Sequence, residues 1–399
     1  MTVELMQGFP PNEAVQVTLT NWRRPPFSKW SFQHVREIVP SADIPNDSER
    51  VWSLERSPVE LDDLALQFGG KTMSFAAFLR HTDTDAIVIL RRGKLVYERY
   101  RAPMTRDTPH ILMSVSKSIL GLLVGVLVGQ GRLRVDALVS GIIPEVAGTA
   151  YDGATLRNLL DMQTGILFDE NYLAASGAII DYRKAQGWDP YGAGETPSDL
   201  RSFYKTLKDK VGSHGGSFHY VSPNTDLLGW VIERTTGTRY CDLVSKLLWK
   251  PMGARNGAYI TVDRLGAPRC AGGFCSTVED LARVGQLLVQ GGKRDAHQII
   301  PQAWIEDIWS KGDRKAWDQG DFKPYIPDLP VHYRSQWYTW TGNQPIGFGL
   351  GVFGQNVFVD RQNQIVIAKL SSQALPMDAG RIQMTMSAIE QVRRALTSR

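Results

Sequence analysis

Cysteine is scarce in this sequence. Its 399 residues include three cysteines, Cys241, Cys270 and Cys275, and an odd number cannot pair completely. The first residues also lack the basic start and the apolar stretch that define a secretory signal. Both observations are typical of proteins that work in a reducing compartment. We therefore expect free thiols and a cytoplasmic location.

Long apolar runs and clusters of like charge are also missing. No stretch approaches the roughly 18 uninterrupted apolar residues of a membrane span. The net charge is +4, and the lysines and arginines are spread along the chain, without the concentrated basic face that nucleic acids require. The seven histidines are scattered, and no second Cys/His pair accompanies Cys270 and Cys275. We expect no membrane, nucleic-acid or metal partner.

Several common catalytic motifs are absent, among them G-x-S-x-G, H-E-x-x-H and the phosphate-binding P-loop. The stretch Gly347–Val352 (GFGLGV) looks like part of a dinucleotide loop, but the segments around it have strand patterns instead of a strand–turn–helix pattern. Glycines within a strand let a ligand approach the backbone closely. This strand is therefore predicted to offer an N–H group to an oxyanion.

Strand patterns occur towards both ends of the chain. The stretch Asp85–Tyr100 has two β-branched and aromatic runs around the turn Arg91–Lys94, which predicts a hairpin. Residues 345–370 hold three more strand-like runs, and helical periods dominate residues 141–254. We predict an α+β fold in which a central antiparallel sheet, built from both chain ends, is flanked by helices and carries a mostly helical inserted domain.

The length of the chain favours two domains over a single core. We assign residues 1–140 and 255–399 to a domain that contains the antiparallel sheet, and residues 141–254 to the helical domain. The active site is expected at the interface between them.

The stretch MSVSKSILGLLVG places serines and a lysine directly before a long apolar run. In a helix, Ser114 and Lys117 lie on one face, one turn apart. A serine at a helix N-terminus suits a nucleophile whose negative charge must be stabilised, and a partly buried lysine has a lowered pKa and can accept a proton. The alternative is that Ser114 only caps the helix while Lys117 is a surface lysine.

The stretch FHYVSPNTDLLGW places Tyr220 in a loop directly before a predicted helix, with Ser222 and Asn224 close behind it. A tyrosine beside a lysine cation is expected to have a lowered pKa and to transfer protons. The alternative is an aromatic side chain that only anchors the start of the helix.

The order of S-x-x-K, Tyr-x-Ser and a glycine-rich strand resembles that of the serine β-lactamase-like hydrolases, which include class C β-lactamases, D-Ala-D-Ala peptidases and esterases. The stretches DMQ, FHYVSPNTD, GQNVFVD and WRRPPFSKWSF are most similar to those of the 6-aminohexanoate-dimer (nylon-oligomer) hydrolases. The resemblance implies a β-lactamase/D-Ala-D-Ala-peptidase-like fold.

The same resemblance implies roles for individual residues. It implies that Ser114 is the nucleophile and that Lys117 and Tyr220 transfer protons. It implies an oxyanion hole formed by the N–H groups of Ser114 and Val352. The residues that it implies for substrate binding are Tyr172, Arg183, Trp188, Ser222, Asn224, Trp337 and Trp340.

The sequence also departs from the family pattern. The segment Gly349–Gly351 lacks the basic residue with which β-lactamases hold a carboxylate, and Ser222 replaces the asparagine of their Tyr-x-Asn motif. In the nylon-oligomer hydrolases an acidic residue precedes the pocket tryptophan, whereas Arg183 and Lys184 precede Trp188 here. The sequence therefore favours neutral esters, or acyl groups with a distal carboxylate, over substrates with an ammonium group.

Together these features predict a serine hydrolase that forms an acyl-enzyme and needs no cofactor or metal. We expect carboxylesterase activity on small esters, with amidase activity on 6-aminohexanoate-type amides as a further activity to test. One alternative is a D-Ala-D-Ala peptidase or β-lactamase, and another is a non-catalytic ligand-binding relative. The sequence leaves the oligomeric state open, with a homodimer as one option.

Overall fold

A seven-stranded antiparallel sheet forms the centre of the computed structural model, which describes residues 4–398. The described strands are β1 Ser41–Ile44, β2 Ala65–Phe68, β3 Lys71–Ser74, β4 Thr84–Arg91, β5 Lys94–Tyr100, β6 His110–Ile111, β7 Ala258–Thr261, β8 Phe274–Ser276, β9 Lys293–Arg294, β10 His297–Gln298, β11 Val331–Arg334, β12 Trp337–Trp340, β13 Ile346–Gly351, β14 Gln355–Asp360 and β15 Ile365–Ser371.

The helices lie around this sheet and fill the middle of the chain. The described α-helices are α1 Ser28–Ser31, α2 Phe75–His81, α3 Val115–Gly129, α4 Val139–Ile142, α5 Leu156–Leu160, α6 Ala178–Ala185, α7 Leu200–Phe203, α8 Ser222–Thr236, α9 Tyr240–Val244, α10 Lys250–Met252, α11 Val278–Val289, α12 Gln302–Ser310, α13 Arg314–Asp318 and α14 Ala379–Thr397. Short 3-10 turns and one π-turn, Ser245–Trp249, connect several of them.

The order of strands in the main sheet is β11-β12-β13-β14-β15-β4-β5, and every neighbouring pair is antiparallel. Strands from the two ends of the chain thus pair at β15 and β4, which confirms the predicted fold class. A second sheet, with the order β1-β7-β8-β6, was not predicted. Its strands have two to four residues, too few for the sequence to show a clear alternation.

The hairpin of β4 and β5 shows how local sequence sets the register. Arg91 pairs with Lys94, so Arg92 and Gly93 form a two-residue turn. Both turn residues have positive φ, +51° and +77°, as a type I′ turn requires. Glycine adopts this conformation without strain, and the turn's twist matches that of the paired strands.

Helix α3 runs through the interior and contacts both the sheet and the helical segment. Its residues Val115–Leu127 are buried. Gly121, Gly125 and Gly129 recur every four residues and so share one face. A Cβ atom at these positions would lie within 2.4 Å of Ser335, Trp304 or Pro301. Glycine is therefore required for the close packing that holds this helix in place.

Residues 141–254 contain the end of α4, helices α5–α10 and no strand in the region described. One continuous cluster of buried apolar residues includes both Val88 of β4 and Val231 of α8, so the sheet and the helical segment share a core. The boundaries at residues 140 and 254 stay a prediction.

Candidate active site

Ser114 lies at the N-terminus of α3, where the chain enters the helix through a strained turn. Met113, the residue before it, has a φ of +45°, which non-glycine residues rarely adopt. Ser114 makes no capping bond to the first turn of the helix. Its hydroxyl instead faces Lys117, which argues against a role limited to capping.

Lys117 is only 1% exposed, and its ammonium group lies directly beside the serine. Its Nζ donates to Ser114 Oγ at 2.9 Å and to the carbonyl oxygen of Ala271 at 2.7 Å. Burial lowers the pKa of Lys117 to about 7, and the positive charge of Arg269 acts in the same direction. Glu170 opposes this shift without cancelling it. The amine can therefore exist in its neutral, proton-accepting form near neutral pH.

Tyr220 lies beside both Ser114 and Lys117. Its side chain is hydrogen-bonded to that of Ser114, and Lys117 Nζ is 4.9 Å from the centre of its ring. Burial raises the pKa of Tyr220 well above its ordinary value, and the bond to Ser114 only partly opposes this. The lowered pKa predicted for Tyr220 is therefore wrong, because desolvation dominates and the opposing positive charge is that of Arg269, not of Lys117. Tyr220 is a neutral phenol that can donate a proton.

The glycine-rich strand β13 passes close to the serine. A Cβ atom on Gly351 would lie 3.0 Å from the backbone N of Ser114 and 2.7 Å from the carbonyl oxygen of Leu112. Only glycine allows this approach, which explains the G-L-G pattern. Val352 follows at the end of β13 and lines the same cavity as Ser114. This is the arrangement expected if the Ser114 and Val352 N–H groups serve one oxyanion.

An ion pair beneath the lysine holds the Ala271 carbonyl in position. Asp226, on α8, accepts from the N–H of Ala271 at 2.7 Å and from Arg269 Nη1 at 2.6 Å. Tyr182 also donates to Asp226, at 2.5 Å. Asp226, Arg269 and Tyr182 were not predicted from the sequence. Asp226 stands two positions after Asn224 in the same motif, so the motif itself was the available signal.

A second missed acid, Glu170, organises the rim of the site. It accepts from the N–H of Ser222 at 2.9 Å and from its hydroxyl at 2.5 Å. The side chain of Tyr172 is also hydrogen-bonded to Glu170. Glu170 thus connects Tyr172 to the start of α8, close to the Ser114–Lys117–Tyr220 group.

Two cavities meet at the serine. The narrower one, which we call the crevice, has a water-accessible volume of only about 40 Å³ and mainly apolar walls, among them Phe322 and Tyr338. The wider one, which we call the cleft, has a water-accessible volume of about 560 Å³ and many charged side chains in its walls. The residues that line both are Ser114, Tyr172, Val352 and Pro376.

The cleft contains four of the predicted substrate-binding residues. They are Tyr172, Arg183, Trp188 and Ser222. Arg183 does not carry a free positive charge there, because its Nε donates to Asp189 Oδ2 at 2.7 Å. Lys184 is likewise paired, with Glu195 at 2.6 Å. The loop is therefore less basic towards a substrate than its sequence suggests.

The other three predicted pocket residues lie away from both cavities. Asn224 is fully buried, accepts from Tyr151 at 3.0 Å and donates to Thr164 at 2.9 Å. Trp337 is also fully buried and donates to the carbonyl oxygen of Ser118 at 3.1 Å. Trp340 lines a separate surface groove. The sequence pattern did not distinguish a buried structural side chain from a pocket wall.

Within residues 4–398, no group of three or more His, Cys, Asp or Glu side chains is placed to hold a metal ion. No helix in that range is both long and apolar enough to cross a membrane.

A model of the Beta-lactamase family matches residues 75–386, which is most of the chain and includes the whole Ser114–Lys117–Tyr220 group. The chain belongs to the beta-lactamase family. This membership confirms the family resemblance found in the sequence, and with the relatives described next it confirms that the protein is a serine hydrolase.

Two related proteins match this chain, one over most of its length and the other over less than half. The 6-aminohexanoate-dimer hydrolase of Paenarthrobacter ureafaciens is 36% identical over 366 residues, which cover 91% of this chain and 90% of that protein. Esterase EstB of Burkholderia gladioli is 30% identical over 189 residues, or 44% of this chain and 47% of that protein.

Among solved structures, a Bacillus anthracis protein provisionally assigned as a 6-aminohexanoate-dimer hydrolase has a similar fold. Its TM-score is 0.88 at 26% identity, and the match covers 97% of this chain and 99% of that one. The beta-lactamase-family fold therefore extends beyond the matched residues 75–386 to nearly the whole chain.

Proposed function

We propose that this protein is a carboxylesterase for small esters that also cleaves linear amides of the 6-aminohexanoate type, with Ser114 as its nucleophile. The observation that carries the proposal is the 2.9 Å bond between Lys117 Nζ and Ser114 Oγ, made by an amine whose pKa is about 7. Such an amine is half neutral near pH 7 and can activate a serine hydroxyl.

Acylation begins when neutral Lys117 takes the proton of Ser114 Oγ as that oxygen attacks the substrate carbonyl. The N–H groups of Ser114 and Val352 stabilise the resulting oxyanion. Tyr220, neutral because its pKa is raised, donates its proton to the departing alcohol or amine. Lys117 then returns its proton to Tyr220, which leaves the acyl-enzyme and a neutral tyrosine.

Deacylation uses the same groups in reverse. A water molecule attacks the ester carbonyl of the acyl-enzyme while Tyr220 and Lys117 accept its proton. The oxyanion collapses, Ser114 regains its proton, and the carboxylic acid leaves. No step needs a metal or an organic cofactor.

The similar proteins support both proposed activities, the cleavage of esters and the cleavage of linear amides. One is named as a hydrolase of the 6-aminohexanoate dimer, and another as an esterase. A β-lactam substrate is less favoured, because Gly349–Gly351 supplies no basic side chain for the carboxylate. The pairing of Arg183 with Asp189 weakens the expected exclusion of substrates with an ammonium group.

The test compares Ser114→Ala with Ser310→Ala, which removes an exposed serine hydroxyl on α12. With p-nitrophenyl butyrate, the wild type and Ser310→Ala should release nitrophenol steadily, whereas Ser114→Ala should lose several orders of magnitude in kcat. Intact-mass spectrometry should detect a butyryl adduct on Ser114 in the first two proteins. A single burst without turnover would identify a non-catalytic relative, and full activity of Ser114→Ala would reject this serine as the nucleophile.

A further inference from the structure

Gln355 is a fully buried glutamine at the start of β14, directly after the short turn Val352–Gly354. It belongs to the stretch GQNVFVD, to which the proposed mechanism gives no role. Gln355 lines neither the crevice nor the cleft, so its amide does not face a substrate in either cavity. Burial of an amide is costly unless its polar atoms are hydrogen-bonded, so the bonding partners of Gln355 indicate its role.

The side chain of Gln355 continues the pairing of β14 with β15 beyond the last backbone pair, which joins Asn356 and Lys369. Gln355 Nε2 donates to the carbonyl oxygen of Ser371 at 2.7 Å, and Gln355 Oε1 accepts from the Ser371 N–H at 3.0 Å. Ser371 also pairs with Thr84 of β4, near the centre of the sheet. Both polar atoms of the amide are thus fixed to the sheet.

The same amide holds the turn that follows β13. Gln355 Nε2 donates to the carbonyl oxygen of Val352 at 3.3 Å. A Cβ atom on Gly351 would lie 3.0 Å from Gln355 Cβ and 3.0 Å from the backbone N of Ser114. Gln355 therefore bonds to the residue that supplies one N–H of the proposed oxyanion hole, and its side chain starts close to the backbone that supplies the other.

The turn depends on such contacts because its backbone is strained. Phe353, in the middle of the turn, has a φ of +63°, and a non-glycine residue keeps such a backbone only where surrounding contacts hold it. The N–H of Phe353 donates to the carbonyl oxygen of Pro376 at 2.9 Å, and its carbonyl oxygen accepts from the N–H of Gln373 at 3.2 Å. The bond from Gln355 holds the carbonyl of Val352, which limits rotation of the Val352 backbone and so the direction of its N–H.

We propose that Gln355 is a positioning residue for the oxyanion hole, which connects Val352 to Ser371 and keeps the Val352 N–H directed at the reacting carbonyl oxygen. The proposal rests on the function proposed above, and no bond to Gln355 forms or breaks in the reaction. An aligned N–H stabilises the transition state more than the bound substrate, because negative charge develops on the oxygen only as Ser114 attacks. Acylation and deacylation both pass through an oxyanion, so both should slow together when the alignment is lost.

The test compares Gln355→Met with Gln336→Met. Methionine is also unbranched and fills a similar space, but it cannot replace the hydrogen bonds of an amide. Gln336 is a matched control because it is buried and its amide also makes three bonds, none of them to the oxyanion hole. Its partners are the carbonyl oxygens of Leu159 and Leu160 and the hydroxyl of Thr225.

Both variants lose buried hydrogen bonds, so both should unfold at lower urea concentrations than the wild type. With p-nitrophenyl butyrate, Gln355→Met should lose about tenfold to a hundredfold in kcat, less than the loss of a whole oxyanion-hole donor, while KM changes by less than about twofold. Gln336→Met should keep the wild-type kcat and KM. Gln355→Glu supplies a second variant, which keeps the bond from the Ser371 N–H and loses the donor to Val352, and its kcat should also fall.

A transition-state analogue measures the oxyanion hole directly. Ser114 Oγ adds to the carbonyl carbon of butyl trifluoromethyl ketone, its proton passes to Lys117, and the carbonyl oxygen becomes an oxyanion. The inhibition constant of this ketone should rise in Gln355→Met by about the factor by which kcat/KM falls. Inhibition by butyramide, which forms no oxyanion with the enzyme, should stay at the wild-type value.

The outcomes separate this proposal from the function on which it rests. A wild type that does not hydrolyse p-nitrophenyl butyrate would show that the esterase function is wrong. A wild type that hydrolyses it, together with equal kcat values in Gln355→Met and Gln336→Met, would overturn the role of Gln355. A rise in KM at constant kcat in Gln355→Met, or unchanged inhibition by the ketone, would overturn it as well.

Discussion

Replacing Lys117 by methionine should abolish activity and at the same time stabilise the protein. Lys117 is buried, and its pKa falls from 10.5 to about 7 on folding. At about 1.4 kcal/mol per pH unit, keeping this amine charged in the folded protein costs about 5 kcal/mol. Methionine removes that cost, although it leaves the Ala271 carbonyl without its donor, which costs about 1–3 kcal/mol. We expect a net gain of about 2–4 kcal/mol at pH 6.

The sign of the pH dependence follows from the same two pKa values. Below pH 7 both the folded and the unfolded chain carry the proton, so the full cost is present. Between pH 7 and 10.5 the unfolded chain binds more protons, so the stability of the wild type rises with pH. At pH 9 the remaining cost is about 2 kcal/mol. The advantage of Lys117→Met should therefore shrink by about 3 kcal/mol between pH 6 and pH 9.

Urea unfolding at both pH values, followed by circular dichroism, measures this difference. Lys369 on β15 provides a matched control, because burial lowers its pKa to about 7 as well, and its Nζ donates to Ser371 Oγ at 2.6 Å. Lys369→Met should show a similar pH-dependent gain and keep its esterase activity. A Lys117→Met protein that is less stable than the wild type at pH 6, or whose advantage is equal at both pH values, would refute the reasoning.

The remaining predictions concern catalysis. Wild-type kcat/KM should rise with pH to a plateau with a midpoint near 7, because only neutral Lys117 accepts the proton of Ser114; a flat profile from pH 5 to 9 would contradict this. Tyr220→Phe should lower kcat by about 10²–10⁴ with little change in KM, and adding Lys117→Ala should cost scarcely more, as for groups that act as one unit; additive losses would mean independent roles. Arg183→Asp should raise kcat/KM for the 6-aminohexanoate dimer relative to a neutral ester, more so at low salt, because it leaves Asp189 less compensated. Arg183→Gln serves as the control, because it also loses the bond to the Tyr172 carbonyl oxygen but adds no negative charge. If the ratio of kcat/KM for the dimer to kcat/KM for the neutral ester is the same in the wild type and in Arg183→Asp, the charge has no role in specificity.

Local patterns were sufficient wherever one segment carries its own structural signal. The β-branched and aromatic runs on both sides of the turn Arg91–Lys94 predicted the hairpin of β4 and β5. The spacing of Ser114 and Lys117 placed both on one helical face, because that spacing follows from helix geometry alone. The strand and helix patterns also predicted the fold class, whereas the family was identified from the resemblance of its motifs.

Burial and distant contacts could not be predicted in this way. The sequence alone determined which side chains Ser114, Lys117 and Tyr220 bring to the reaction. The lowered pKa of Lys117 was expected from the sequence, but only the tertiary structure decided that desolvation raises the pKa of Tyr220. The tertiary structure also buries the side chain of Asn224 in the core. It brings the carbonyl oxygen of Ala271 to within 2.7 Å of Lys117 Nζ, although the two residues are 154 positions apart in the chain. The physical reason is that a pKa and a pocket wall depend on neighbours from distant segments, and packing alone determines those neighbours.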